Sequence, residues 1–257
     1  MLDINISTIW IIAVLLVAVR MGVVFFTTPL YSFAPVPAKV KIVFVIALSA
    51  VLVLAGKPDT SFIDITLGGL ALACITELFI AAVLAFGIQA TFAAFQWGGR
   101  IIDMQIGFSV ANIIDPATKT RAPLMGTVFS IMALMVFYSI DGHHFVIRGL
   151  AYSLKMIPPG AAFAVKDPML VIGQFGAIFS FGLMAVAPVV FSLTMVDFVI
   201  AIAAKTMPQM NVFFVGLPLK IFVGLAMFAL TIKYMLPLFE RIFSSMFQYW
   251  DSVIVGG

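Results

Sequence analysis

Apolar residues run almost unbroken along this chain. Uncharged stretches cover 4–19, 21–38, 42–56, 78–99, 122–140 and 168–196, and a last apolar region from 206 to 239 is interrupted only by Lys220 and Lys233. A membrane-spanning helix needs ~20 consecutive apolar residues, so the pattern predicts about six spans joined by brief loops. The fit is uneven. The stretch 42–56 is short, 168–196 is overlong with Pro188 inside it, and the last region carries Pro208, Pro218 and Pro237. Prolines inside apolar helices predict kinks whose freed carbonyls are satisfied by neighbouring helices. Turn residues place loops at Tyr31–Pro37, Gly56–Asp59, the region up to Pro123, Pro158–Gly160 with Lys166–Pro168, and Lys205–Pro208. The elements predicted are therefore all α-helical.

Composition agrees with the pattern. The 257 residues are 63% hydrophobic and 10% charged, whereas soluble domains average about 45–50% apolar and about 25% charged. Mean hydropathy is +1.21. The length is used up by one helical bundle, which leaves no room for a separate soluble enzyme domain. Net charge is +3, and the basic residues stand singly, so the footprint of a nucleic-acid binder is missing. Cys74, the one cysteine, lies in an apolar run, which excludes an internal disulfide and a cysteine metal cluster. The N-terminus has no positive n-region and no Ala-x-Ala cleavage pattern, so the first apolar segment reads as a retained helix.

Charge placement is less ordinary. In simply alternating spans, Lys and Arg accumulate on the cytoplasmic side. Here Lys39, Lys41, Arg100, Lys119, Arg121 and Lys205 fall on one side, and Lys57, Arg148, Lys155, Lys166, Lys233 and Arg241 on the other. That tie argues against simple alternation, and Arg20 and Lys220 remain inside the spans. Glu77, Asp197 and Lys220 each have apolar neighbours on both sides. A mid-helix charge facing lipid costs at least ~2.5–3.5 kcal/mol, so these groups face partners or water. Pairing within one bundle and bonding across subunit interfaces both meet that need.

Between two apolar runs, Gly98–Pro116 brings together glycine, charge and amide groups. Lipid cannot hydrogen-bond a loosened backbone, so such a segment lines a cavity or sits inside protein. Arg100 and Asp103 are spaced to pair on one helical face, for a few tenths of a kcal/mol. Beyond them, Gly107 and Phe108 stand among small polar groups, and Asp115-Pro116 ends any helix. The stretch suits either an ordinary inter-helix loop or an apolar stopper in a pore mouth.

Motifs for chemistry are weak. Asp141-Gly-His-His144 offers ligand types, but adjacent histidines diverge by about 100° on a helix, while zinc pairs usually sit at i and i+4. A helix end with a turn at Asp141-Gly142 and hydrogen-bonded imidazoles explains it better. No nucleophile elbow, phosphate loop or dinucleotide fingerprint is found, and the acids are dispersed. These readings imply no catalytic residues, no metal and no cofactor. Ion-coupled secondary transport with a midplane site at Glu77, Asp197 and Lys220 is the alternative, because broken helices and buried charges also suit a carrier. An intramembrane enzyme resting on His143 and His144 comes third.

Taken in order, Gln105-Ile-Gly-Phe-Ser109, Asp115-Pro116, Asp141-Gly-His-His144, Ser153 before Pro158, and Pro208-Gln-Met-Asn-Val-Phe-Phe-Val-Gly-Leu-Pro-Leu-Lys220 resemble the FliR family of flagellar type III export gates over nearly the whole chain. Injectisome counterparts of the SctT type are relatives, and the Pro-Gln-x-Asn and Asp-Gly-His-His stretches favour the flagellar branch. The resemblance implies an all-α fold of kinked helical hairpins in one export-gate domain spanning 1–257. About 1–195 would be FliP-like, and about 196–257 would form a FliQ-like hairpin. It implies one copy completing a helical hetero-oligomer with FliP-type and FliQ-type subunits, beside FlhB-type and FlhA-type proteins. The assembly would sit in the bacterial inner membrane at the flagellar basal body, much of it on the periplasmic side, and pass unfolded substrates. The resemblance also implies a pore plug at Ile106, Gly107, Phe108, Ser109, Val110, Ala111 and Asn112. Glu77, Arg100, Asp103, Asp197 and Lys220 carry over as inter-helix or inter-subunit polar contacts.

Overall fold

The computed structural model describes residues 8–29, 36–108, 123–207 and 212–256. These form seven α-helices, with no strand among the described residues: α1 (Thr8–Thr27), α2 (Ala38–Gly56), α3 (Leu67–Ile106), α4 (Leu124–Ser139), α5 (Gly142–Met156), α6 (Pro168–Thr206) and α7 (Val212–Gly256). By length and composition, α1, α2, α3, α6 and α7 suffice to cross a membrane, and α4 with α5 adds a sixth if taken as one broken span. The all-α membrane-helix fold expected from the apolar pattern is the fold observed.

Three elements are far longer than one span requires. Helices α3, α6 and α7 contain 40, 39 and 45 residues. At about 1.5 Å per residue their contours are about 60–70 Å, at least twice a ~30 Å hydrocarbon core. Pro188, Pro218 and Pro237 lie within these helices rather than ending them. Helix α1 absorbs Arg20, the one charge between residues 4 and 38, so two apolar stretches counted separately become one helix.

The expected break at Gly98 is not where the helix ends. Helix α3 continues through Gly98 and Gly99 to Ile106, and the chain departs at Gly107, whose φ of 94° favours glycine. The two earlier glycines serve packing instead. A Cβ on Gly98 would lie 3.1 Å from the Gly182 carbonyl oxygen, and one on Gly99 would lie 2.5 Å from Gly126 Cα. Small residues let helix backbones approach at such crossings.

The described residues pack as two compact units. The first comprises residues up to Ala90 with 141–175 and the chain from Ser244 onward; the second comprises 91–140 and 176–243. Helices α3, α6 and α7 contribute a part to each. In the first unit α2 packs on α1 and α5. Trp250 is buried there, its indole N–H donating to the Leu84 carbonyl at 2.9 Å, while Tyr249 donates to Val83 at 3.0 Å. The second unit is centred on rings: Phe95, Phe129, Phe137, Phe239 and Phe243 are fully buried, and Phe95 and Phe239 centroids lie 4.4 Å apart. Aromatic pairs at this range add about 0.5–1.5 kcal/mol beyond burial. In contrast, only 17% of the apolar window of α2 and 17% of that of α7 is buried. Their free faces are apolar and require lipid or another protein as cover.

Candidate functional site

In the first unit the polar groups converge on Arg20. Its Nε donates to Glu77 Oε2 at 2.6 Å and its Nη2 to Glu77 Oε1 at 2.9 Å, a two-pronged pairing that fixes both side chains. Nη1 donates to the Ser153 hydroxyl at 3.1 Å, and Nη2 also reaches the Ile157 carbonyl at 3.1 Å. The Ser153 hydroxyl in turn donates to the Leu150 carbonyl at 2.8 Å. Gly160, with φ 82°, directs its N–H toward Glu77 Oε1 at a long 3.4 Å. Arg20, Glu77 and Ser153 are all 0% exposed. The node ties α1, α3, α5 and the Ile157–Gly160 turn together. Arg20 stands out in the sequence as a charge inside an apolar run, but it was not among the expected polar contacts.

In the second unit Asp103 organises the approach to the expected plug. Its Oδ1 accepts from the Met125 N–H at 2.9 Å and its Oδ2 from the Gly126 N–H at 3.2 Å. These are first-turn donors of α4, and the residue before that helix, Pro123, makes no side-chain cap. The buried carboxylate therefore caps α4 from α3 and also meets the positive end of the α4 dipole. Among the described residues no ion pair joins Asp103 to Arg100, which is exposed. The i, i+3 spacing permitted that pairing, but the orphan amides of α4 are the stronger claim on the carboxylate. Ile106 is buried against Gly224, and Gly107 lies under Leu217. Phe108 is half-buried. Ser109, Val110, Ala111 and Asn112 of the expected plug lie outside the described residues, as do Asp115-Pro116 and Pro208–Asn211.

Asp197 on α6 pairs with Lys220 on α7, with Asp197 42% and Lys220 23% exposed along their side chains. Glu77 is buried and paired in the first unit, and the partly exposed Asp197 and Lys220 pair with each other in the second. Asp141 adopts φ 57° at the break between α4 and α5, and its carboxylate lies 3.2 Å from His144 Nδ1. Donor atoms of Asp141, His143 and His144 fall within 4.8 Å of one another, closer than their adjacency in sequence suggested. That is three donors of ligand type, where a closed tetrahedral zinc site uses four.

The α2–α3 connection carries two exposed side-chain turns. Asp59 accepts from the Ser61 N–H at 2.9 Å, and Asp64 from the Thr66 N–H at 3.0 Å. These backbone bonds hold both carboxyls below the ordinary 3.8. The turns are thus strengthened above pH 3.8 and lose that contribution as pH falls through the lowered values. The Ser61 and Thr66 amide resonances are expected to titrate with midpoints below 3.8, and midpoints at or above it would contradict these turns.

Residues 11–246 match the family described as bacterial export proteins, family 1. The chain is 35% identical over 237 residues to the flagellar biosynthetic protein FliR of Bacillus subtilis, covering 90% of each. It is 28% identical over 233 residues to the protein of the same name from Escherichia coli, covering 89% of this chain and 87% of the relative. The corresponding protein of Aquifex aeolicus is 29% identical over 248 residues, covering 93% and 91%. The chain belongs to the FliR family. Within the matched region of this FliR-family chain lie all of the polar anchors described above, from Arg20 and Glu77 to Asp103, Asp197 and Lys220. The Ser153 that precedes Pro158 in the family-like motif is the same hydroxyl that accepts from Arg20.

Proposed function

We propose that the chain is a structural and gating subunit of the flagellar type III protein export channel, forming part of the pore and its plug for unfolded substrates. Family membership across residues 11–246 is the observation that carries this reading. The FliP-like portion at about 1–195 and the FliQ-like hairpin at about 196–257 would pack with FliP-type and FliQ-type subunits, beside FlhB-type and FlhA-type proteins, in the inner membrane. Helices with contours of about 60–70 Å favour an assembly that rises out of the bilayer, much of it periplasmic, since a single span uses only ~30 Å. The tied loop charges support the same arrangement. The largely uncovered faces of α2 and α7 match a subunit whose apolar surface is completed by neighbours.

The role is non-enzymatic in this reading, and the plug is the working part. Gly107 turns the chain out of α3 and Phe108 begins the stretch that would stop the pore. Deleting Ile106–Asn112 is expected to make cells carrying the altered chain admit sodium ions that the wild-type gate excludes. Sodium entry equal to wild type would overturn the plug assignment. For the carrier reading, the charges it needs at one midplane site are already neutralised by separate partners, Arg20 for Glu77 and Lys220 for Asp197.

A further inference from the structure

The break between α4 and α5 gathers both histidines of the chain with an aspartate. Asp141 precedes α5 in the N-cap position, where an aspartate ordinarily accepts from the first amides of its helix. It makes no such bond. With φ at 57°, its carboxylate turns instead to His144, whose Nδ1 lies 3.2 Å from Oδ1. The sequence discounts a metal here because adjacent imidazoles diverge on a helix. In the structure they do not: the rings of His143 and His144 lie 4.1 Å apart, inclined by 37°. The turn that carries them is firmly held. The Phe145 N–H donates to the Asp141 carbonyl at 3.1 Å, and the Phe145 ring stacks on Phe247 of α7 at 3.7 Å. All of these residues belong to the first unit.

An exposed aspartate–histidine pair contributes little by itself, and it gives no reason for a second imidazole against the first. A divalent transition metal uses all three groups. Imidazole with carboxylate suits zinc and its neighbours rather than calcium or magnesium, which take oxygen ligands. Ligands about 2.0–2.2 Å from a tetrahedral ion stand about 3.3–3.6 Å from one another. The 3.2 Å between Asp141 and His144 is close to that spacing. Donors of all three residues fall within 4.8 Å, and torsion of the exposed Asp141 and His144 side chains closes the rest. Three protein donors leave a fourth position to water, as in an open zinc site. The Asp141 charge also offsets the positive end of the α5 dipole, which alone opposes a cation.

We propose that Asp141, His143 and His144 form a surface site for a divalent transition-metal ion of the zinc class, with water completing the coordination. An ion held this way ties a carboxylate outside α5 to two side chains in its first turn, and so fixes where α5 begins. The inference is independent of the plug reading.

The test uses the chain purified in detergent with its co-expressed membrane subunits, and cobalt(II) and zinc as probes. Cobalt is expected to give the visible absorption of a four-coordinate ion at one equivalent per copy of this chain, and zinc to displace it. His143→Gln, His144→Gln and Asp141→Asn should each weaken binding roughly tenfold or more, at least what an outer-shell partner contributes. Asp59→Asn, in the α2–α3 connection, should leave it unchanged. A second measurement needs no variant. The chain has two histidines, so their modification by diethyl pyrocarbonate is resolved in its peptides by mass spectrometry. Zinc should slow that modification severalfold at both His143 and His144, and magnesium should not. Absence of the cobalt band, binding unchanged by any one of the three substitutions, histidines left unprotected by zinc, or equal protection by magnesium would each overturn the proposal.

Discussion

Replacing Glu77 by alanine removes the carboxylate paired with a fully buried guanidinium, and the folded protein is expected to lose about 3–5 kcal/mol of stability. Arg20 would keep hydrogen bonds to the Ser153 hydroxyl and the Ile157 carbonyl, but neither neutralises it. The loss should appear as a sharply lower unfolding temperature of detergent-solubilised protein and a lower level in membranes. Removing both charges tells more. Arg20→Met with Glu77→Leu leaves neither charge of the pair, and apolar replacement of a buried pair is often close to neutral. Recovery should still be incomplete, because the Ile157 carbonyl loses its donor while Ser153 keeps its bond to Leu150. If the double variant is no more stable than Glu77→Ala, the uncompensated charge is not the cause of the loss.

The second large effect is steric. Gly99→Leu would push a side chain into the backbone of Gly126, with Met125 O and Gly126 N each 2.6 Å from the first added carbon. Backbone cannot yield as a side-chain tip can, so α3 and α4 must separate. Overpacking alone costs about 1–3 kcal/mol, and separation also removes the Asp103 cap, so loss of folded protein is expected. Gly173→Ala provides the contrast. A Cβ added there would meet no atom within 4 Å beyond the backbone of its own helix, and alanine in a helix interior should be neutral or stabilise by up to about 1 kcal/mol. Equal levels of Gly99→Leu and wild type in membranes would contradict the close helix crossing.

These residues also show how far the chain could be read before its structure was known. The all-α membrane class follows from apolar stretches that no soluble core requires, and it held. The ordered motifs identified the family because each, though weak alone, occurs in sequence with the others. Charges inside apolar runs mark where partners are needed, since burial without one is costly. Partner identity was another matter. Arg20 and Glu77 are 57 positions apart, and Asp103 and Gly126 are 23 apart, so no local rule links them. Local spacing instead suggested Arg100 for Asp103, a contact worth little beside the unsatisfied amides of a helix start. Gly98-Gly99 misled in the same way. Glycine signals either a turn or a close approach, and only the position of α4 and Gly182 decides between them.

Helix length was the other feature hidden from a hydropathy count. Scattered charges such as Arg100 and Asp103 divide α3 on paper, whereas capping and packing keep it helical to Ile106. A helix of that contour has more length than one bilayer core accommodates, and its charged end requires protein or water around it. This is the physical reason to expect neighbours.

Native mass spectrometry of this chain co-expressed with the neighbouring membrane subunits tests that expectation most directly. The predicted result is one copy of the chain within a larger hetero-oligomer that survives extraction into detergent. A stable monomer or homodimer in the presence of those subunits would contradict the assignment of the chain to an export gate.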